Sequence, residues 1–347
     1  MAEIVLGIAT SHSPTLSLLP HEVPAYAAGD SRNPQLLHPP EGKLMTYEQL
    51  QEAADPGTRA AGSTPDFEAE YHRYQRAIDT LADTFAQFKP DVAIIFGDDQ
   101  EELFFDDNMP SISIYWGQTI PWIPQAYPPV PAAMPAAWGY GRQAMDYPVD
   151  SNLALHLIES LVDADFDVAQ SRYLNEESGG HVGPIGYVAE EWNTPRRRYG
   201  LVHAYEFVCE RVMRESATPI VPVTLNTCYP PNQVTPRRCY ALGQAVRRAI
   251  QDWAPGKRVA VMGSGGLSHF VVDEELDRLV LDLMRNRNAE GIAALPLERL
   301  NSATSEIRNW IAASGALEHL EMDVVEYVPA RRTPAGTGGG WGFARWT

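Results

Sequence analysis

The run Ile4-Val5-Leu6-Gly7-Ile8-Ala9 passes directly into Thr10-Ser11-His12-Ser13-Pro14. Six mostly apolar, partly β-branched residues predict a strand buried on both faces, as in a parallel sheet. The polar residues behind them predict that its C-terminal end opens onto a site. The same design recurs along the chain. DVAIIF at residues 91–96 runs into Gly97-Asp98-Asp99-Gln100-Glu101-Glu102, and RVAVM at 258–262 runs into GSGGLSH at 263–269. SISIYW at 111–116, residues 167–172 and PIVPVTL at 219–225 predict three more strands.

Helical spacing separates these runs. Phe67, Tyr71, Tyr74, Ile78, Leu81 and Phe85 fall on one face of a helix over 66–88, with Thr64 before Pro65 as its expected cap. Further helices are expected over 152–162, 236–253, 274–285 and 305–313. Strands alternating with helices predict an α/β fold: a single domain with a central mostly parallel or mixed sheet flanked by helices. Two segments lack periodicity and are rich in Pro, Gly and polar residues. Residues 20–64, with one short helix near 47–53, and the Pro-rich stretch 118–148 are expected as loop excursions over the site.

Composition narrows the function. The 347 residues carry 27 Lys+Arg against 45 Asp+Glu, a formal charge of −18. Such a chain repels a phosphate backbone, so no nucleic acid is expected as partner. Three cysteines, at 209, 228 and 239, suit neither a disulfide framework nor a CxxC zinc site. The N-terminus lacks the basic and long apolar regions of a signal peptide, and no run approaches the ~20 apolar residues of a membrane helix. A cytoplasmic protein with no membrane partner is expected.

In open α/β sheets ligands bind beyond the carboxyl ends of strands. His12, Asp98-Asp99-Gln100 and His269 are placed there, and His181 sits in a Gly-rich turn that can reach the same place. Imidazoles and carboxylates gathered from distant positions suit a divalent metal with open coordination positions. The Gly263-Ser264-Gly265-Gly266 loop matches neither phosphate-binding pattern, and is read as room for backbone beside a bound ligand. Glu101 and Glu102 read as solvated. His21, His38, His72, His156, His203 and His319 read as surface or packing residues.

The ordered segments GIATSHSP (7–14), the strand with DDQ (91–100), GGHVGP (179–184), TCYPPNQVTPRRCYALG (227–243), GSGGLSH (263–269) and TSEIRNWIAASGAL (304–317) resemble the class III extradiol ring-cleavage dioxygenases, the family of protocatechuate 4,5-dioxygenase catalytic subunits and gallate dioxygenases. The resemblance implies Fe(II) held by two His and one Glu. His12 matches the first His and Glu306 the carboxylate; His269 matches the acid/base His, and His181 a second active-site His. The other metal His of the family falls where this chain has Asp99-Gln100. That departure leaves Gln100 as a ligand through its amide oxygen, or brings in Asp99 or a His of the excursion. The implied reaction inserts O2 into a carboxylated or methoxylated catechol-type aromatic. A site altered at Gln100 leaves two alternatives open: another aromatic ring or metal-assisted hydrolysis, and a non-catalytic binding or assembly role. A homodimer is expected.

Overall fold

The computed structural model describes residues 1–123, 140–174, 200–254 and 256–347. Nine strands make one mixed sheet. They are β1 (Glu3–Thr10), β2 (Val92–Asp98), β3 (Ile112–Tyr115), β4 (Ala169–Ser171), β5 (Ile220–Leu225), β6 (Arg258–Ser264), β7 (His269–Val271), β8 (Met322–Arg331) and β9 (Thr337–Trp346). The order is β7-β9-β1-β6-β2-β5-β3-β4, and β8 also pairs with β9. The centre β1-β6-β2-β5 is parallel, so these strands deliver their C-terminal ends to one edge. The flanks are antiparallel: β9 on β1, and β3 on β5.

Alternation explains why the central strands are apolar throughout. Val92, Ile94 and Phe96 join one core cluster with Val259 and Val261, whereas Ala93 and Ile95 join another with Ala260 and Met262. Successive side chains point to opposite faces, and helices cover both. On one side α1 (Phe67–Phe88) buries Ile78, Leu81 and Phe85. On the other, α2 (Ser151–Asp163), α3 (Pro236–Asp252) and α4 (Ile307–Ala316) supply Leu157, Val246 and Trp310. Each such burial contributes about 1.5–3 kcal/mol.

The strands and helices expected from the sequence are present, with four differences. The cap of α1 is Asp66, which accepts the N–H of Ala69, and not Thr64. The 20–64 excursion holds three short helices, Val23–Ala27, Tyr47–Ala53 and Pro56–Ser63, rather than one. The ends of the Pro-rich stretch pair as a hairpin, Thr119–Trp122 with Met145–Pro148. The largest departure is the Gly-rich tail, which forms β9 and sits inside the sheet. Its glycines make close approach possible: a Cβ at Gly340 would lie 1.9 Å from Asp277 Oδ2.

Candidate active site

His12 follows β1 and is 3% exposed. Its Nδ1 lies 2.9 Å from Ser264 Oγ at the end of β6. The Ser264 hydroxyl donates its own hydrogen to Ala204 O at 2.6 Å, so it accepts from the imidazole. That fixes the Nδ1–H tautomer and leaves the Nε2 lone pair facing the site. Nε2 is 3.3 Å from Glu306 Oε2, yet this buried atom makes no hydrogen bond.

Glu306 sits at the turn into α4 and is 1% exposed. Its Oε2 accepts the N–H of Gly266 at 2.7 Å, and its Oε1 the Gln100 amide at 2.8 Å. The GSGG loop therefore wraps the chain's own carboxylate. Gly265, at φ +145°, has no Cβ to push on Glu306 Cβ, which would be 3.0 Å away. His269 Nε2 is 3.2 Å from Oε1, and its Nδ1–H donates to Leu267 O at 2.8 Å. Burial pushes the Glu306 carboxyl up, but His269 and His12 outweigh it and hold the group well below its usual range. Burial likewise opposes a charged His269, and the Glu306 carboxylate overcomes it, so the imidazole is raised.

The end of β2 adds acids. Asp98 accepts from Asn309 Nδ2 at 2.9 Å and from Gln100 Nε2 at 3.3 Å. Burial first, then the Glu306 charge, pushes it up to about 7. Asp99 accepts the N–H groups of Glu102, Leu103 and Phe104, as expected of a residue that anchors its loop. It too is raised to about 7, by burial and then by Glu102.

Two expectations are corrected here. Glu102 is not solvated: it is 3% exposed and lies 2.6 Å, through Oε2, from His203 Nδ1. His203 is not a surface residue. It is 2% exposed, its ring meets His12 edge-on at 4.7 Å, and its ligand atom lies within 4.8 Å of those of His12 and Asp98. The local signals were weak, because the two partners lie 101 positions apart. His181 and its Gly-rich turn lie outside the described residues. His38 and His72, read as surface or packing residues, pair with Glu41 and Glu68. A cavity of about 390 Å³, counting its open mouth, is lined by His12, Gln100, His203, His269 and Glu306.

The donor set suits a divalent cation. Two buried imidazoles, one with an orphaned lone pair, face buried carboxylates whose hydrogen bonds come from amides, backbone and histidine. Such an excess of buried acid is what a bound cation compensates. The family described as the catalytic LigB subunit of aromatic ring-opening dioxygenase matches residues 53–337. The chain belongs to this family.

Relatives agree with the assignment. A Cupriavidus pinatubonensis protein named 2,3-dihydroxyphenylpropionate/2,3-dihydroxicinnamic acid 1,2-dioxygenase is 31% identical over 249 residues, 70% of this chain and 64% of its own. A Cupriavidus necator protein of the same name is 31% identical over 205 residues, covering 59% of this chain and 51% of the relative. The chain thus spans about half to two thirds of the length of these relatives. An uncharacterized Escherichia coli K12 protein of known structure aligns over 98% of both chains at 9% identity and a TM-score of 0.39.

Proposed function

We propose that the chain is an Fe(II)-dependent extradiol dioxygenase that opens the ring of a catechol-type aromatic with both atoms of O2, with 2,3-dihydroxyphenylpropionate-like, carboxylated catechols as the substrate class. The observation that carries this is the convergence of His12, His203 and Glu306 beside His269 in one cavity, with an Asp98 carboxylate oxygen within 4.8 Å of ring nitrogens of His12 and His203. His12, His203 and Glu306 would hold the metal as a two-histidine, one-carboxylate set, with Asp98 at its edge and Gln100 as ligand or immediate neighbour. Iron bound there would supply a Lewis acid that favours the catecholate and leaves adjacent positions for substrate and O2.

The protein groups around that centre have separable tasks. His269 exchanges its proton at Nε2 alone, because Nδ1 is tied to Leu267 O. That suits an acid/base that takes a phenol proton and later returns it. The Glu306 carboxylate beside it keeps this imidazole basic enough to accept a proton. Ser264 and Glu102 each occupy the Nδ1 of one histidine and so aim the opposite nitrogen inward. Trp341 packs with its ring centroid 5.9 Å from that of His269 and keeps water from that flank.

The test is anaerobic loading with Fe(II), iron analysis, and oxygen uptake with a panel of catechols, with the product examined for two added oxygen atoms. One iron per chain with ring-opened product is expected. Full iron content without oxygen uptake on any catechol would favour the alternative that Gln100 raises, another ring or metal-assisted hydrolysis. The three cysteines are buried and free, which fits the expected cytoplasmic setting. Among the described residues no helix is long and apolar enough to cross a membrane.

A further inference from the structure

We propose that Arg332 and Trp341 form a subsite that selects an anionic side chain on the aromatic ligand. The proposal rests on the dioxygenase reading for the ring, and on separate observations for the tail.

Among the described residues, Arg332 is the only Arg or Lys in the wall of the active-site cavity. Its side chain is 4% exposed and its partner Asp30 is 0% exposed. Nε donates to Asp30 Oδ2 at 2.7 Å and Nη2 to Oδ1 at 2.8 Å, a two-pronged clamp. Thr337 Oγ1 donates to the same carboxylate at 2.6 Å, and the guanidinium lies over the Tyr26 ring at 4.8 Å. The clamp fixes the guanidinium plane before any ligand arrives. It is also polarised relative to the cavity: Arg332 is in the wall, whereas Asp30 is not. A ligand in the cavity meets the positive end of the pair.

Trp341 supplies the second, independent observation. It is 1% exposed, lines the same cavity, and its Nε1–H has no acceptor. Indole and guanidinium are donors only, and a carboxylate is an acceptor only. One anionic group in this wall gives the orphaned indole N–H its acceptor and lies against a guanidinium that Asp30 already holds in place. Arg332 and Trp341 also border a neighbouring cavity, where no histidine among the described lining residues offsets the Glu70 carboxyl, whereas in the active-site cavity the Glu306 carboxylate is paired with His12 and His269. Phe270, Ala303 and Gly338 fill out the active-site wall and suit a short apolar linker between ring and charge.

The experiment uses the full chain loaded with Fe(II) under nitrogen. Binding of a phenyl ring carrying a short carboxylated chain, which cannot be ring-opened by this chemistry, is compared with that of its methyl ester. The acid should bind the wild type at least about tenfold more tightly. Trp341→Phe keeps the ring and removes the donor, and should cut that preference by about tenfold. The paired change Asp30→Asn with Arg332→Gln removes both charges without stranding either in the core, and should bring the ratio near one. An ester that binds as well as the acid, or a preference untouched in both variants, overturns the proposal. A wild-type ratio near one overturns the proposal even where a variant fails to fold, and the same comparison on the metal-free chain separates the subsite from direct binding of the carboxylate to iron. The ratio of kcat/KM for a carboxylated catechol and its ester is a second readout. Ring opening with no acid preference sinks the subsite and keeps the dioxygenase reading. An acid preference in binding without turnover of any catechol does the reverse.

Discussion

Glu102 holds His203 at two points: Oε2 lies 2.6 Å from Nδ1, and Oε1 accepts the backbone N–H at 3.2 Å. Carboxylate and imidazole come from the loop after β2 and from the short helix His203–Phe207, so the grip joins two distant segments beside His12. A carboxylate on Nδ1 orients the ring and makes Nε2 a better ligand.

Glu102→Gln should therefore weaken iron binding by about 10–100-fold while leaving the fold intact. Chelator competition measures it. Unaltered affinity would show that His203 does not depend on Glu102 for its role at the metal.

His12→Ala should abolish both iron content and turnover, because it removes the one buried ring nitrogen that makes no hydrogen bond beside Glu306. Metal analysis of the purified variant checks this. A full complement of iron would remove His12 from the ligand set.

His269→Ala should keep its iron and lose about 10²-fold or more in rate. The pairing of retained metal with lost turnover separates an acid/base from a ligand. If the variant loses iron instead, His269 is a ligand.

Gln100 donates to both Asp98 and Glu306, so it sits against the proposed metal-binding carboxylate. Gln100→His places an imidazole there. Higher iron affinity and a changed rate or substrate preference are expected, because imidazole is the better ligand for ferrous iron. Titration with a competing chelator and steady-state kinetics test it; identical values in both would place Gln100 away from the metal.

Glu70, away from the site, gives a pH-dependent expectation. Burial, opposed by Arg73, pushes its carboxyl from 4.5 up to about 7. Below 4.5 the group is protonated whether the chain is folded or not. Between 4.5 and about 7 the unfolded chain releases its proton first, so this group's contribution to stability falls as pH rises. Glu70→Gln should leave stability unchanged near about pH 4 and raise it near about pH 8, by about 1–2 kcal/mol after allowance for partial solvent screening. Urea unfolding at the two pH values reads the difference.

Much of the framework was legible in the linear chain. IVLGIA and DVAIIF read as strands because a strand covered on both faces must be apolar at every position, and that requirement is local. The same logic put His12, Asp98 and His269 at strand ends, where a parallel centre gathers them on one edge. The tail from Pro334 carries no strand pattern that the linear chain shows. Glycine gives no hydrophobic period, and its use in β9 is to let Asp277 and Trp341 pack against bare backbone.

The site divides along the same line. His12, His269 and Glu306 stand in segments whose local pattern or resemblance marks them. His203 and Glu102 carry no such mark, since a histidine or glutamate near apolar residues reads as surface until a partner is known. Their partnership spans 101 positions, and that of Gln100 with Glu306 spans 206. The sequence by itself determined which residues form strands and helices, because side-chain size, branching and period act over a few neighbours. Only the tertiary structure decided which acids and histidines share one buried cavity. Desolvation and pairing there depend on segments brought together by the packing of the whole sheet.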